Sequence, residues 1–300
     1  MELFALRGFV AVVEEESFTR AAQRVFVTQP AVSMQIKSLE DELGEPLLER
    51  DGRKVRLTEA GRILYECAKT ALDVLDSAGE RIQDLGGLKR GRLSLGCSDT
   101  LSTHVLVPIL SAFAQQYPTL ELTVHNKTSL QIMQLTLSSD LDCGLITLPC
   151  SEPGLSVEPL FEYREMAVVC SSHPLAKQSG VALDQLAQHR LLLLERSTKS
   201  RMLLEQEFLA AGTDPCATME VGSVQMQKAF AQIGLGVGIV PEYSLADELR
   251  ADTLCALNVA DLPARQIGLI TRSARVLSLA ARTFIDILRE RFRAQDGQSE

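Results

Sequence analysis

The segment from Thr58 to Gly86 limits what this chain can fold into. Leu64, Ala68, Ala71, Leu75, Ala78, Ile82 and Leu85 follow one another at steps of 4, 3, 4, 3, 4 and 3 residues. A seven-residue repeat sustained that long fits one helix with an apolar seam along one side. Thr58 is placed to cap it, Glu59 falls in its first turn, and Gly86-Gly87 stops it. Alanines in the seam let a second helix come close. Such a helix either lies on its own domain or pairs with a copy of itself. The seam separates two unlike sequence patterns, so we expect a dimerising linker over 59–90, with Leu64, Ala68, Ala71, Leu75, Ala78 and Ile82 at the contact.

Before the seam the pattern is helical. Leu3, Leu6, Phe9, Val10 and Val13 have helical spacing, and Ser17 is a good cap for a second helix from Phe18 to Arg24. Phe26-Val27-Thr28 breaks the pattern. A third helix starts near Gln29 with Pro30 in its first turn, where the missing N–H costs nothing. Val32, Ile36, Leu39 and Leu43 form its buried stripe, and Gly44 ends it. Pro30, Met34 and Lys37 lie opposite that stripe, with Gln29 and Ser33 to its side. Two short helices and a third with a polar outer face follow helix-turn-helix grammar. In the following LLERDGRKVRLT, Asp51-Gly52 is a favoured hairpin turn, which makes the segment a β-wing with Arg50, Arg53 and Lys54 at its tip.

After the seam, from Arg92, short strands alternate with helices. RLSLGCS, LELTVHN, CGLIT, LSVEPLF, EMAVVCS, LLLL, ATMEVG, GVGIVP, LCALNV and RQIGLIT read as strands, with helices near 104–117, 129–139, 199–211, 224–233 and 276–292. That alternation implies an α/β domain with largely parallel sheets. About 210 residues is long for one such unit, so two subdomains are expected. The last helix should pack on the first of them.

Composition bears on the class of protein. Apolar residues make up 46% and charged residues 23%, values of an ordinary globular chain. No apolar run reaches the ~18 residues that span a bilayer, so no membrane association is expected. The N-terminus lacks the basic region of a signal peptide, which points to the cytoplasm. The net charge of −9 argues against nucleic acid, but its distribution does not. Residues 1–62 carry nine Lys and Arg against eleven Asp and Glu. Arg50, Arg53, Lys54, Arg56 and Arg62 crowd one end of that segment, whereas Glu14, Glu15 and Glu16 lie far from it. A basic edge can meet phosphates while the acids face away. Seven cysteines without a CxxC pair, and four scattered histidines, suit neither a disulfide framework nor a metal site. No metal and no cofactor are expected.

The N-terminal residues resemble a known family. Leu6, Phe9, Ser17-Phe18, Ala21-Ala22, Thr28-Gln29-Pro30-Ala31-Val32-Ser33, Gln35-Ile36, Leu39-Glu40, Leu43-Gly44, Pro46-Leu47, Glu49-Arg50, Leu57-Thr58 and Ala60-Gly61 are similar to the winged helix-turn-helix of LysR-type transcriptional regulators, without gaps. Tyr117-Pro118, Leu141-Asp142-Cys143-Gly144-Leu145 and Gly234 to Pro241 resemble that family's effector domain. The resemblance implies a winged helix-turn-helix over 1–58, the linker helix, and a two-subdomain α/β effector domain over 91–300, shaped like periplasmic binding proteins. Its first subdomain would span about 92–150 and 268–294, its second about 151–267. It also implies promoter DNA as partner and a homo-oligomer, typically a tetramer built as a dimer of dimers; RNA polymerase is a further candidate partner. Two departures stand out. Met34 occupies a position where the family often has a DNA-contacting Arg, and Leu48 stands where Phe is commoner. Met34 can offer only apolar contact, for example to a thymine methyl.

Candidate site residues follow. Gln29 can bond two positions on a base edge, Ser33 can reach base or phosphate, and Lys37 can reach phosphate. Pro30 and Met34 share that face, and Arg50, Arg53 and Lys54 supply the wing. In the α/β domain a ligand belongs at the carboxyl ends of strands, against helix N-termini. Ser98, Asp99, Thr100 and Ser102 follow the strand RLSLG, Thr128 and Ser129 follow LELTVHN, and Ser197 to Arg201 follow LLLLE. Ser223 follows ATMEVG. The same hydroxyls would serve as ordinary N-caps. Together they suit a small anion. Asp99 would repel one unless Arg201 pairs it, or it could favour a ligand amine.

Three functions compete. The first is a transcription factor whose small-molecule effector changes how it binds or bends promoter DNA. A variant of that reading senses redox state through cysteines: Cys97, Cys143 and Cys170 fall in strands, while Cys150 and Cys216 lie in loops. The second is a solute-binding module, which the C-terminal part alone would allow. The third is an enzyme, with no catalytic residues to nominate. No GxSxG or P-loop occurs, and the glycines of 234–238 precede a strand rather than open a helix.

Overall fold

The computed structural model describes residues 1–51, 54–84, 91–273 and 275–296, with the side chains of 50, 51, 54, 73, 77, 79–84 and 294–296 outside the description. The chain forms two compact units, Met1–Ile82 with Ala274–Val276, and Gln83–Ser273 with Leu277–Glu300.

The first unit runs α1 (Leu3–Glu15), α2 (Phe18–Arg24), α3 (Gln29–Leu43), β1 (Leu48–Asp51), β2 (Lys54–Leu57) and α4 (Glu59–Asp84). Ser17 caps α2 by accepting the Arg20 N–H. The Thr58 hydroxyl accepts the Gly61 N–H at 2.9 Å and donates to the Pro46 carbonyl at 2.7 Å, which ties the wing to the start of α4. Asp51 pairs with Lys54 across the wing, and Gly52 of the expected Asp51-Gly52 turn lies outside the described residues, as does Arg53. Phe9, Val32, Ile36, Leu39 and Leu47 close the core, joined from α4 by Ala68 and Leu72. Leu43, the last member of the expected α3 stripe, is 42% exposed because the helix has outrun the core there. The Glu40 carboxylate accepts the Leu47 and Leu48 N–H groups and fixes the entry to the wing.

The acidic run at 14–16 does not simply face away. Glu14 lies between α1, α2 and α4, paired with Lys69 and with Arg24, and accepting the Tyr65 hydroxyl. Glu15 pairs with Arg20 and Arg24. Local cations thus neutralise much of the acid.

The seam on α4 also divides differently from expectation. Leu64 is half-buried and Ala68 is buried in the head, because the first turns of α4 close the head's own core. The exposed apolar stripe instead runs through Ile63, Cys67, Ala71, Val74, Leu75 and Ala78. Ile82 lies in α4 with its side chain outside the description, and Leu85 and the Gly86-Gly87 stop lie outside the described residues.

The second unit contains two sheets. The strands are β3 (Arg92–Cys97), β4 (Glu121–Asn126), β5 (Cys143–Thr147), β6 (Leu155–Tyr163), β7 (Glu165–Val169), β8 (Gly180–Val181), β9 (Arg190–Leu194), β10 (Ala217–Val221), β11 (Val237–Pro241), β12 (Cys255–Val259) and β13 (Arg265–Arg272). Between them lie α5 (Asp99–Leu101), which continues through a π-helical turn into α6 (Val107–Gln116), then α7 (Ser129–Leu137), α8 (Leu183–Leu186), α9 (Lys199–Ala210), α10 (Val224–Gln232), α11 (Ala246–Arg250) and α12 (Leu279–Asp296). One sheet has the order β4-β3-β5-β13-β6, the other β10-β9-β11-β7-β12-β8. Both are largely parallel, as expected, but each contains one strand that runs against the rest. β7 runs antiparallel to β11 and β12, and β13 antiparallel to β5 and β6. These are the two strands by which the chain enters a sheet from the other one. Entry occurs at the end where β5 and β11 finish, so the entering strand must run against them.

The crossings lie at Arg164 and at 260–264, not near 150 and 267 as expected. LSVEPLF, within the expected second subdomain of 151–267, instead forms β6 and pairs with β13 in the first sheet. Helices cover both faces of each sheet. α12 lays Ala280, Ala281, Phe284, Ile285, Leu288 and Phe292 on the first sheet beside Phe113 of α6, and Ile132 of α7 packs on the opposite face. Leu204 and Phe208 of α9 cover one face of the second sheet, and Val224 and Ala231 of α10 the other.

Candidate functional site

Two surfaces collect the residues singled out above. The first is the outer face of α3. Gln29, Pro30 and Lys37 are exposed, Met34 is 73% exposed, and Ser33 is half-buried beside them. Thr28, at the N-cap, makes no side-chain cap hydrogen bond, so the first turn of α3 keeps donors unengaged by its cap. A helix start in that state suits a phosphate. Arg50 and Lys54 lie on the paired strands of the wing with their side chains outside the description, and Arg53 lies outside the described residues.

The second surface is a cavity of about 520 Å³ between the two sheets of the second unit. Its walls come from strand ends and helix starts. Ser98, Asp99 and Thr100 follow β3; Asn126 ends β4, and Lys127, Thr128 and Ser129 follow it; Thr198, Lys199 and Ser200 follow β9; Ser223 follows β10. Ser98, Thr128, Thr198 and Ser223 each accept a backbone N–H two or three residues into their helix, at 3.2–3.4 Å. Four capped helix starts therefore face one space. The caps are not equivalent. Thr128 also bonds the Gln131 side chain and Thr198 donates to the Glu195 carbonyl at 2.8 Å, whereas Ser98 and Ser223 are engaged only as acceptors. Their O–H protons can go to a ligand.

Six nominated residues line this cavity: Ser98, Asp99, Thr100, Thr128, Ser129 and Ser223. Three do not. The Ser102 hydroxyl sits 2.8 Å from the Cys97 sulfur, and Ser197 is exposed outside the cavity. Arg201 turns inward, 6% exposed, bonding the Leu194 carbonyl and pairing with Glu205 at 2.8 Å, so it does not pair Asp99. The cation nearest the expected role is Lys199, two residues before it.

Sequence reading missed Asn126, Lys127, Thr147, Tyr163, Glu165 and Tyr243 on the cavity wall, and within the segment Ser197 to Arg201 it singled out the two ends, whereas Thr198, Lys199 and Ser200 line the cavity. Asn126 and Lys127 stand at the carboxyl end of β4, where the strand-end rule could have found them. Tyr163 and Glu165 flank the crossing at Arg164, Tyr243 follows β11, and none of the three carries a local signal. Burial holds the Tyr163 and Tyr243 phenols well above their usual range, so both stay neutral donors. Burial also raises the Glu165 carboxyl against the pull of Arg265, whose Nε lies 3.4 Å away. The net charge on the rest of the wall is set by Asp99 against Lys127 and Lys199. Cys97, behind the wall, is buried and its thiol is pushed up by that burial, which keeps it protonated near neutral pH. Among the described residues no cluster of metal-ligating side chains occurs. No helix among them is long and apolar enough to cross a membrane.

The model of the bacterial regulatory helix-turn-helix protein of the lysR family matches residues 3–62, and the model of the LysR substrate binding domain matches residues 86–293. The chain belongs to the LysR family. It is 32% identical over 281 residues to the HTH-type transcriptional activator CmpR of Synechocystis, covering 93% of this chain and 92% of that protein. It is 30% identical to the DNA-binding transcriptional dual regulator OxyR of Escherichia coli, covering 97% and 96%. Its structure resembles a cysteine-to-aspartate variant of full-length OxyR from Pseudomonas aeruginosa, with a TM-score of 0.73 at 25% identity, covering 98% of this chain and 95% of that one.

This LysR-type protein is a transcriptional regulator, not an enzyme, with a helix-turn-helix domain and a two-sheet α/β effector domain. As a LysR regulator it binds promoter DNA and a small-molecule effector and forms oligomers.

Proposed function

We propose that this regulator works in the cytoplasm, reads its operator with α3 and the wing, and senses a small anionic metabolite in the cavity between its two sheets. The functional division is residues 1–58 for DNA, 59–90 for linkage and dimerisation, and 91–300 for the effector. Gln29 and Ser33 read bases, Pro30 and Met34 make apolar contact, and Lys37, Arg50, Arg53 and Lys54 hold phosphates. The exposed apolar stripe of α4 from Ile63 to Ala78 pairs with a second copy, and two dimers make a tetramer. RNA polymerase is a further partner of the DNA-bound form.

One observation carries the choice of effector: four capped helix starts and the amines of Lys127 and Lys199 border a single cavity. Helix starts place partial positive charge on that space, and the Ser98 and Ser223 hydroxyls can donate to an oxyanion. An anion drawing on both sheets changes the angle between them at the crossings, Arg164 and 260–264. The oligomer passes that change to the spacing of its DNA-reading heads.

The test is equilibrium binding to the DNA upstream of the protein's own gene across a salt series, with thermal shifts measured on inorganic phosphate and small mono- and dicarboxylates. Sequence-dependent, salt-sensitive binding is expected, lost in the double variant Gln29→Ala, Ser33→Ala with oligomerisation unchanged. Stabilisation by one or more anions is expected to weaken roughly ten-fold in Lys127→Ala, Lys199→Ala, about one charged hydrogen bond's worth. Stabilisation by cationic or neutral metabolites alone would overturn the anion reading.

A further inference from the structure

The turn between α2 and α3 is built for a glycine and holds a phenylalanine. α2 ends in a pair of reverse hydrogen bonds: the Val27 N–H reaches the Ala22 carbonyl at 2.9 Å, and the Phe26 N–H reaches the Gln23 carbonyl at 3.3 Å. This 6→1 and 5→2 pairing is a Schellman motif, and it forces the residue at its centre into the left-handed region. Phe26 occupies that position with φ of +58°. Glycine or asparagine adopts this conformation at little cost, whereas a bulky side chain crowds its own backbone. Val25 and Val27 on either side pack into the head's core. Phe26 between them is 94% exposed, the most exposed large apolar side chain among the described residues. The chain therefore bears two costs at one residue, a crowded backbone and an aromatic ring in water, where glycine would bear neither. Among the described residues of the head no contact covers the ring, which is 94% exposed.

We propose that the Phe26 ring is a DNA contact, seated against the deoxyribose of the backbone strand at the lip of the major groove. The inference rests on the reading of α3 as the DNA-reading helix and goes beyond it, because the ring belongs to neither α3 nor the wing. Phe26 lies two residues before Thr28, the N-cap of α3. In a helix-turn-helix the first helix crosses the sugar-phosphate backbone and the second enters the groove with its N-terminal residues at the base edges. A residue in the connecting turn then meets the backbone, where the apolar surface available is the C–H face of the sugar. Such a contact positions the head without reading sequence. It also neutralises no phosphate, so it releases no counterion.

The test uses the full-length protein, a duplex from upstream of its gene, and an unrelated duplex of the same length and composition. Phe26→Asn suits the left-handed backbone and removes the ring. Its melting temperature is expected to equal or exceed the parent's, by up to about 4 °C. Its affinity is expected to fall roughly ten-fold on both duplexes, with the slope of log affinity against log salt unchanged. Phe26→Leu keeps apolar bulk and should recover part of the loss. Unchanged affinity in Phe26→Asn overturns the proposal, as does a loss confined to the upstream duplex or accompanied by a smaller salt slope. Intact DNA binding with lost activation of transcription in a purified system also overturns it and assigns the ring to RNA polymerase. Gln29→Ala, Ser33→Ala measured alongside separates the layers. If that variant loses binding and Phe26→Asn does not, this inference alone fails; if neither loses binding, the reading of α3 fails first.

Discussion

The DNA-reading face and the effector cavity both gather polar side chains at helix starts, but they hold them in opposite ways. On α3 the reading groups stand in water on one helix, and Thr28 makes no side-chain cap bond. In the cavity the hydroxyls of Ser98, Thr128, Thr198 and Ser223 are each pinned to their own helix before any ligand arrives. The first surface must fit a partner that is itself charged, hydrated and deformable, and open donors serve it. The second must present one geometry to a small molecule, and caps supply that rigidity. The cavity's hydroxyls are thus stabilising elements of the fold as well as ligand groups, whereas the groups on α3 are not.

This contrast can be broken most sharply through glycine. A Cβ on Gly61 would fall on the Leu47 carbonyl oxygen, where wing and α4 meet, whereas a Cβ on Gly222 at the cavity would make ordinary contact with the Glu195 carboxylate at 3.6 Å and the Met226 sulfur at 4.0 Å. Gly61→Ala should destabilise the head by about 3 kcal/mol, at the upper end for overpacking. Gly222→Ala should stay within about 0.5 kcal/mol of the parent. Denaturant titration of each variant measures both, and equal effects would erase the distinction.

Next in size is the ion cluster under α1. Burial by itself would raise the Glu14 carboxyl, but Lys69 and Arg24 together hold it below the usual carboxylate range. A depressed pKa in the fold contributes stability above the unfolded value and loses it as pH falls through the folded one. Glu14→Gln should therefore cost about 2 kcal/mol at pH 7. That gap should close as pH drops below about 4, as the parent itself becomes protonated. A gap independent of pH would show that the pairing contributes packing rather than charge.

The smallest effects sharpen the comparison most directly. Ser98→Ala and Ser223→Ala each remove a cap and should cost about 1 kcal/mol. Thr28→Ala removes no cap bond and should change stability by no more than a few tenths of a kcal/mol. Chemical denaturation of the three variants settles the order, and a Thr28→Ala loss as large as the other two would contradict it.

The first surface was legible in the sequence because its residues lie within one helix. The stripe of Val32, Ile36 and Leu39 fixes which side of α3 is buried, and Gln29, Met34 and Lys37 follow on the open side from helical periodicity alone. Four segments of the cavity were legible for the same local reason: a strand end followed by a capping hydroxyl. Within them, individual residues were misjudged. Arg201 looked like the free cation, but one turn into α9 it points back to Leu194 and Glu205, while Lys199 at the helix start lines the cavity.

Local pattern determined the helix-turn-helix, the long helix and the alternation of strands with helices, because periodicity and caps act over a few residues. Only the tertiary structure decided which strands share a sheet, that β7 and β13 run against their neighbours, and that Tyr163, Glu165 and Tyr243 stand around one space. It alone turned Leu64 and Ala68 inward and left Ile63, Cys67 and Val74 outside. A seven-residue repeat says that a helix has an apolar side, but what covers each turn depends on segments distant in sequence.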